Sequence, residues 1–134
     1  MKLLLAVAAA LVDADNRVLI AQRPKGKMLE GLWEFPGGKL EPSERPEDAL
    51  IRELKEELGV TVKAACLAPL TFASHAYDRF HLLMPLYVCR RWEGFAQPLE
   101  GQGALKWVRA KDLRDYPMPP ADAPLIPPLV DLLG

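Results

Sequence analysis

The 134 residues predict an α+β domain in which helices pack on a mixed β-sheet. Two observations carry that expectation. Apolar runs of strand length recur along the chain, bounded by clusters of Gly, Pro, Asp and Asn. Between them, "RPEDALIRELKEELG" places its apolar residues at the spacing of an amphipathic helix. No repeat, linker or low-complexity segment divides residues 1–134, so a single domain is expected.

In chain order, Leu3 to Val12 and Arg17 to Ala21 flank the turn-rich "DADNR" and read as a hairpin. The lysine and apolar run at the N-terminus also resemble a short signal peptide. Removing that run would strip the hairpin of a strand, so the strand reading is preferred. "RPKGKMLEGLWEFPGGK" is mostly loop, with a short strand at Leu32 to Phe35. In the helix that follows, Pro46 suits the first turn, Glu47 and Asp48 suit the positive end of the dipole, and Gly59 suits the stop. "VTVKAACLAPLTFA" reads as a strand broken at Pro69, and "HLLMPLYVCRRW" as another whose Pro85 prefers an edge or a bulge. "ALKWVRA" predicts a last strand and "KDLRDY" a short helical turn. "DAPLIPPLVDLLG" predicts a terminal helix with Asp122 as a candidate cap.

Half of the residues are hydrophobic and the net charge is -1. That balance argues against stable nucleic-acid binding, which needs several cations set against phosphates, but leaves room for a small phosphorylated ligand. No apolar run reaches the roughly 20 residues that span a bilayer, so no membrane association is expected. Cys66 and Cys89 lie in apolar runs at no metal-like spacing and read as buried free thiols, in keeping with a reducing cytoplasm.

Function is concentrated in the acidic helix. With Glu53 at the origin of a helical wheel, Glu56 falls at about -60° and Glu57 at about +40°, at roughly 100° per residue. Leu50, Ile51, Leu54 and Leu58 occupy the adjoining sector, so one face packs and the next presents three carboxylates. Like charges at these spacings repel by roughly 0.2–0.5 kcal/mol per pair, and a hard divalent cation would offset that. Lys55 lies too far round the helix to help. Arg52 flanks Glu56, with Glu44 within its reach. Gly37 and Gly38 open the stretch in a loop whose backbone can approach a ligand or offer a carbonyl to a metal. The competing reading, a solvated acidic face, accounts for three glutamates but not for this arrangement.

The stretch resembles the Nudix box at each of its fixed positions: Gly38, Glu44, Arg52, Glu53, Leu54, Glu56, Glu57, Gly59 and Val60. The resemblance implies an α/β/α sandwich and cleavage of nucleoside diphosphates linked to another moiety, with Mg²⁺ as cofactor and Mn²⁺ as a substitute. It implies that Glu53, Glu56 and Glu57 bind metal, joined by the Gly37 carbonyl. Arg52 and Glu44 would orient the cluster, and Glu53 would act on the attacking water. An intact carboxylate set argues for an enzyme over a non-catalytic binding module.

The flanking "MKLLLAVA", "AQRP", "WEFPGGK", "RRWEG", "EGQ" and "YPMPPADAPLI" are similar to the MutT-type mutator pyrophosphohydrolases. That resemblance implies hydrolysis of 8-oxo-dGTP to the monophosphate and pyrophosphate, in nucleotide-pool sanitation. The partner is then a small-molecule nucleotide and the protein a cytoplasmic monomer or weak dimer. By position, Arg23, Phe35, Gly38, Lys39 and Asp122 would contact the nucleotide, and Glu100 would reach the metal from a loop. Arg23 also reads as a solvated strand-end arginine, and Phe35 as a core residue. Asp122 departs from the Asn usual in bacterial mutator enzymes and has two readings, a helix cap and a reader of the purine edge. Oxidation at C8 makes N7 a donor, which an ionised Asp accepts, while O6 would be repelled unless the carboxyl were protonated by burial. Ala6 and Ala8, where bulkier side chains would line the pocket, leave base preference open. Tyr77 keeps a dinucleoside polyphosphate in view beside CTP-like nucleotides and ADP-ribose. His75 and His81 read as structural or surface residues, Trp92 and Trp107 as packing.

Overall fold

The structure is a computed structural model that describes every residue except Gln102, which ends the "EGQ" motif and lies outside the described residues. Its strands are β1 (Lys2–Leu11), β2 (Arg17–Gln22), β3 (Trp33–Glu34), β4 (Gly37–Lys39), β5 (Leu67–Ala76), β6 (Phe80–Cys89) and β7 (Leu105–Arg109). The helices are α1 (Pro46–Leu58) and α2 (Ile126–Leu133), with 3₁₀ turns at Ala64–Cys66, Ala110–Asp115 and Ala123–Leu125.

The expected mixed sheet is present, in the order β4-β1-β6-β5, with β1 and β6 parallel and the outer pairs antiparallel. A second, antiparallel sheet runs β3-β2-β7. The predicted hairpin is therefore corrected: β1 and β2 belong to different sheets and meet through the single bridge Val12–Val18. The turn between them does form, with Asp13 Oδ1 accepting the Asp15 and Arg17 N–H groups at 3.0 and 2.8 Å. It leads elsewhere because β4 and β6 occupy both edges of β1.

Strand β1 separates two cores. Ala6, Ala8, Ala10 and Val12 face one cluster, under α2; Val7, Ala9 and Leu11 face the other, under α1. Burial on both faces explains the unbroken apolar run. From α1, Ala49, Leu50, Leu54 and Leu58 are fully buried, each leucine contributing about 1.5–3 kcal/mol. Gly59 ends the helix at φ 73°, its N–H donating to the Lys55 carbonyl.

Pro85 does not sit on an edge. Strand β6 is interior, and its ladder with β1 runs through Leu5–Leu83 and resumes at Ala8–Leu86, lapsing where Pro85 lacks an N–H. The bulge falls on β5, at Leu70 between Pro69 and Thr71, close to the expected break. Cys89 is buried, whereas Cys66 is only half-buried; both are free. The indoles of Trp92 and Trp107 stack on each other at 5.9 Å, as packing residues.

Candidate active site

A cavity of about 580 Å³ runs from α1 across the α2-facing side of the main sheet. The α1 spacing puts Glu53 and Glu57 on the cavity wall, opposite the Gly37–Lys39 strand. Arg52 braces this end from outside. Its Nε and Nη2 make a bidentate pair with Glu44 at 2.9 and 3.0 Å, and its Nη1 reaches Glu53 at 2.7 Å and Glu56 at 3.4 Å. The Lys39 carbonyl accepts Arg52 Nη2 at 3.2 Å. The Arg52 guanidinium and the Glu41 N–H hold the Glu44 carboxyl down at about 2.

The glycines set the close approach. A Cβ on Gly38 would lie 2.6–2.8 Å from the Glu53 carboxyl atoms, and one on Gly37 would run into the Val7 carbonyl oxygen. The Gly37 N–H donates to Glu57 Oε2 at 3.2 Å. Burial and the Glu53 charge push Glu57 up to about 9, and burial raises Glu53 as well. These are hard oxygen donors short of positive charge, the donor set that suits Mg²⁺ or Mn²⁺. Among the described residues no three Asp, Glu, His or Cys side chains are closed in ligand geometry. Arg52 draws Glu53 and Glu56 outward, and Glu56 stays exposed. Glu100 does not line the cavity. It occupies an exposed turn at φ 54°, one residue past Leu99, whose N–H donates to the Glu57 carbonyl at 2.9 Å.

The other end is apolar. Ala6 and Ala8 of β1 and Leu82 and Met84 of β6 form its floor, with Phe35 (3% exposed) beside them. The small β1 side chains leave the space that larger ones would fill. Asp122 is a buried polar group here, 6% exposed. It does not cap the terminal helix: no side-chain bond is made to the following turn, and Oδ2 instead accepts the Phe35 N–H at 3.1 Å. Its buried carboxyl is raised to about 7, mainly by desolvation. Arg23 borders the cavity, with Nη1 on Glu34 Oε2 at 3.2 Å and Nε on the Met28 carbonyl at 3.1 Å, so it is not a free solvated arginine.

Glu34 was not among the expected site residues. It lines the cavity between Arg23 and Asp122, and burial raises its pKa against the pull of Arg23. The only signal for it is its place beside Phe35 in "WEF", and a two-residue strand has no periodicity to show which side chain turns inward. His81 bonds Ser74 at 2.6 Å on the strand surface, away from the cavity.

The match to known proteins agrees with this layout. Residues 7–127 match the family model for the NUDIX domain. The chain belongs to the NUDIX family. It is accordingly a Nudix hydrolase, of a family that works with divalent metal. It is 38% identical to the CTP pyrophosphohydrolase of Escherichia coli K12 over 122 residues, 90% of this chain and 87% of the relative. It is 32% identical to the 8-oxo-dGTP diphosphatase of the same strain over 126 residues, 94% of this chain and 95% of that one. The solution structure of the E. coli ORF135 protein superposes with a TM-score of 0.86 at 33% identity, covering 98% of this chain and 91% of the other. Among the described residues of this Nudix hydrolase, no helix is long and apolar enough to cross a membrane.

Proposed function

We propose that this Nudix hydrolase is a Mg²⁺-dependent nucleoside triphosphate pyrophosphohydrolase that converts 8-oxo-dGTP to 8-oxo-dGMP and pyrophosphate. The observation that carries the reading is one continuous cavity with carboxylates at one end and a buried, hydrogen-bonded Asp122 at the other. Glu53, Glu56 and Glu57 with the Gly37 carbonyl would hold Mg²⁺, or Mn²⁺ in its place, and Glu100 would join them from its loop. A divalent ion held there would offset phosphate charge and lower the pKa of a water toward about 7. Glu53 takes or orients the proton of the water that attacks the β-phosphorus, and the α–β bridging oxygen leaves with the monophosphate. Arg52 and Glu44 hold Glu53 in register. Gly38 and Lys39 pass their backbone along the phosphates, and Arg23 borders the sugar and base. Phe35 and Asp122 meet the base.

The E. coli relatives named for 8-oxo-dGTP and for CTP support pyrophosphate release from a triphosphate. A second reading, CTP or a related pyrimidine, is favoured by the 38% identity to the CTP enzyme over nearly the whole chain. The deciding experiment measures kcat/KM for 8-oxo-dGTP, dGTP and CTP with Mg²⁺, with products resolved by anion exchange. A preference of tenfold or more, about 1.4 kcal/mol, for the oxidised purine with pyrophosphate released supports the proposal. An equal preference for CTP moves the enzyme to the second reading. We further propose that it works as a single domain, as a cytoplasmic monomer or weak dimer whose partner is the free nucleotide.

A further inference from the structure

The base end of the cavity also carries a phenol. Tyr77 opens the tight turn between β5 and β6, its N–H donating to the Phe80 carbonyl at 2.8 Å. Its ring stacks on Phe80 at 4.9 Å and 28° and meets His75 edge-on at 4.6 Å. Those two neighbours hold it, half-buried, in the same cavity wall as Asp122. Burial and then the nearby Asp122 charge raise its pKa, against the pull of the Ala121 backbone N–H. A phenol has one proton to donate. Tyr77 lines the cavity, and that proton is what it offers there.

Asp122 supplies the complement. Its Oδ2 is taken by the Phe35 N–H, while its other oxygen has no hydrogen-bond partner among the described residues. A donor and an acceptor therefore stand together at the end of the pocket. We propose that Tyr77 is a specificity-determining residue, its hydroxyl donating to O6 of 8-oxoguanine while Asp122 accepts the neighbouring N7–H. The inference rests on the substrate reading above. It also removes the chief difficulty of that reading, that a carboxylate alone would face O6 with like polarity. Unoxidised guanine shows acceptors at both positions, and 8-oxoadenine carries an amino donor where O6 would be. Neither matches the pair.

Tyr77→Phe keeps the ring and its stacking and removes the proton. The test compares kcat/KM of wild type and Tyr77→Phe on 8-oxo-dGTP and 8-oxo-dATP. The loss on 8-oxo-dGTP is expected to be about fivefold to tenfold, the size of one neutral hydrogen bond, with about twofold or less on 8-oxo-dATP. Because both rates are read on one preparation, any loss of folded enzyme cancels in their ratio. Equal losses on the two substrates, or none on 8-oxo-dGTP, would overturn the inference and leave Tyr77 a wall of the pocket. A wild type that does not turn over 8-oxo-dGTP at all would overturn the substrate reading, and this inference with it.

Discussion

The two ends of the cavity are built in opposite ways. At the phosphate end, Gly37, Gly38, Glu44, Arg52, Glu53 and Glu57 come from one continuous stretch, and their contacts follow from strand, loop and helix geometry within it. At the base end, the groups come from β1, β3, β6, the β5–β6 turn and the segment before α2. The bond that fixes Asp122 joins residues 87 apart in the chain. On the proposed function, chemistry that every substrate of the class shares is encoded locally, and the choice of base by the fold. Substitutions at the first end should therefore change rate on all substrates alike, and those at the second should change their ratios.

The largest effect is expected at Glu53. Glu53→Gln keeps the volume and removes the charge and the basic oxygen. The rate should fall by at least about 100-fold on 8-oxo-dGTP, dGTP and CTP together, the scale of a lost general base. The folded state should survive, because Glu53 lies on the cavity face of α1 and Leu50, Leu54 and Leu58 carry its packing. Full activity at limiting Mg²⁺ would remove Glu53 from its assigned role, and a loss confined to one base would contradict the division between the ends.

The adjoining glycines separate rate from stability within one end. Gly38→Ala would set its Cβ against the far end of a movable side chain, so Glu53 must swing away. A loss of roughly tenfold to a hundredfold in kcat is expected with little change in melting temperature. Gly37→Ala sets its Cβ against the Val7 carbonyl and 2.8 Å from the Ala8 Cα, both backbone. That opens the β1–β4 pairing and should cost more than about 2 kcal/mol of stability, seen as a lower denaturant midpoint. If the two variants exchanged these phenotypes, the assignment of Gly38 to the carboxylate cluster would be wrong.

The same division explains what could be read before the fold was known. Glu53 and Glu57 were legible on the cavity wall because helical spacing puts them on one face, whereas Glu56 stays exposed beside Arg52; the Arg52–Glu44 pair was legible because Glu44 lies just before α1. The α1 boundaries followed from Pro46 and Gly59. The hairpin failed because turn chemistry at Asp13–Asn16 says that a strand reverses, not which sheet receives it. Pro85 misled because a ladder lapse in an interior strand meets the missing N–H as well as an edge does. Asp122 was ambiguous, and Glu34 went unseen, for one reason: their partners are brought from distant segments, and no local pattern marks a buried carboxyl.

The smallest effect, and the one that tests the base end without substrate, concerns Asp122 and pH. Burial raises its pKa from 3.8 to about 7, against the pull of the Phe35 N–H and Arg23 and with the push of Glu34. Below pH 4 the carboxyl is neutral in both folded and unfolded chains. As pH rises toward 7 the unfolded chain ionises freely and the folded chain resists, so Asp122 withdraws stability across that window and no further above it. Asp122→Asn keeps an oxygen for the Phe35 N–H but has nothing to ionise. Its melting temperature relative to wild type should therefore climb between pH 5 and pH 8, by about 3 °C or more, in buffers of equal ionic strength. A difference that stays flat would mean that Asp122 is ionised throughout, held by the Phe35 N–H. The carboxylate would then meet the base as a pure acceptor at every working pH, and discrimination at O6 would fall wholly to its neighbours.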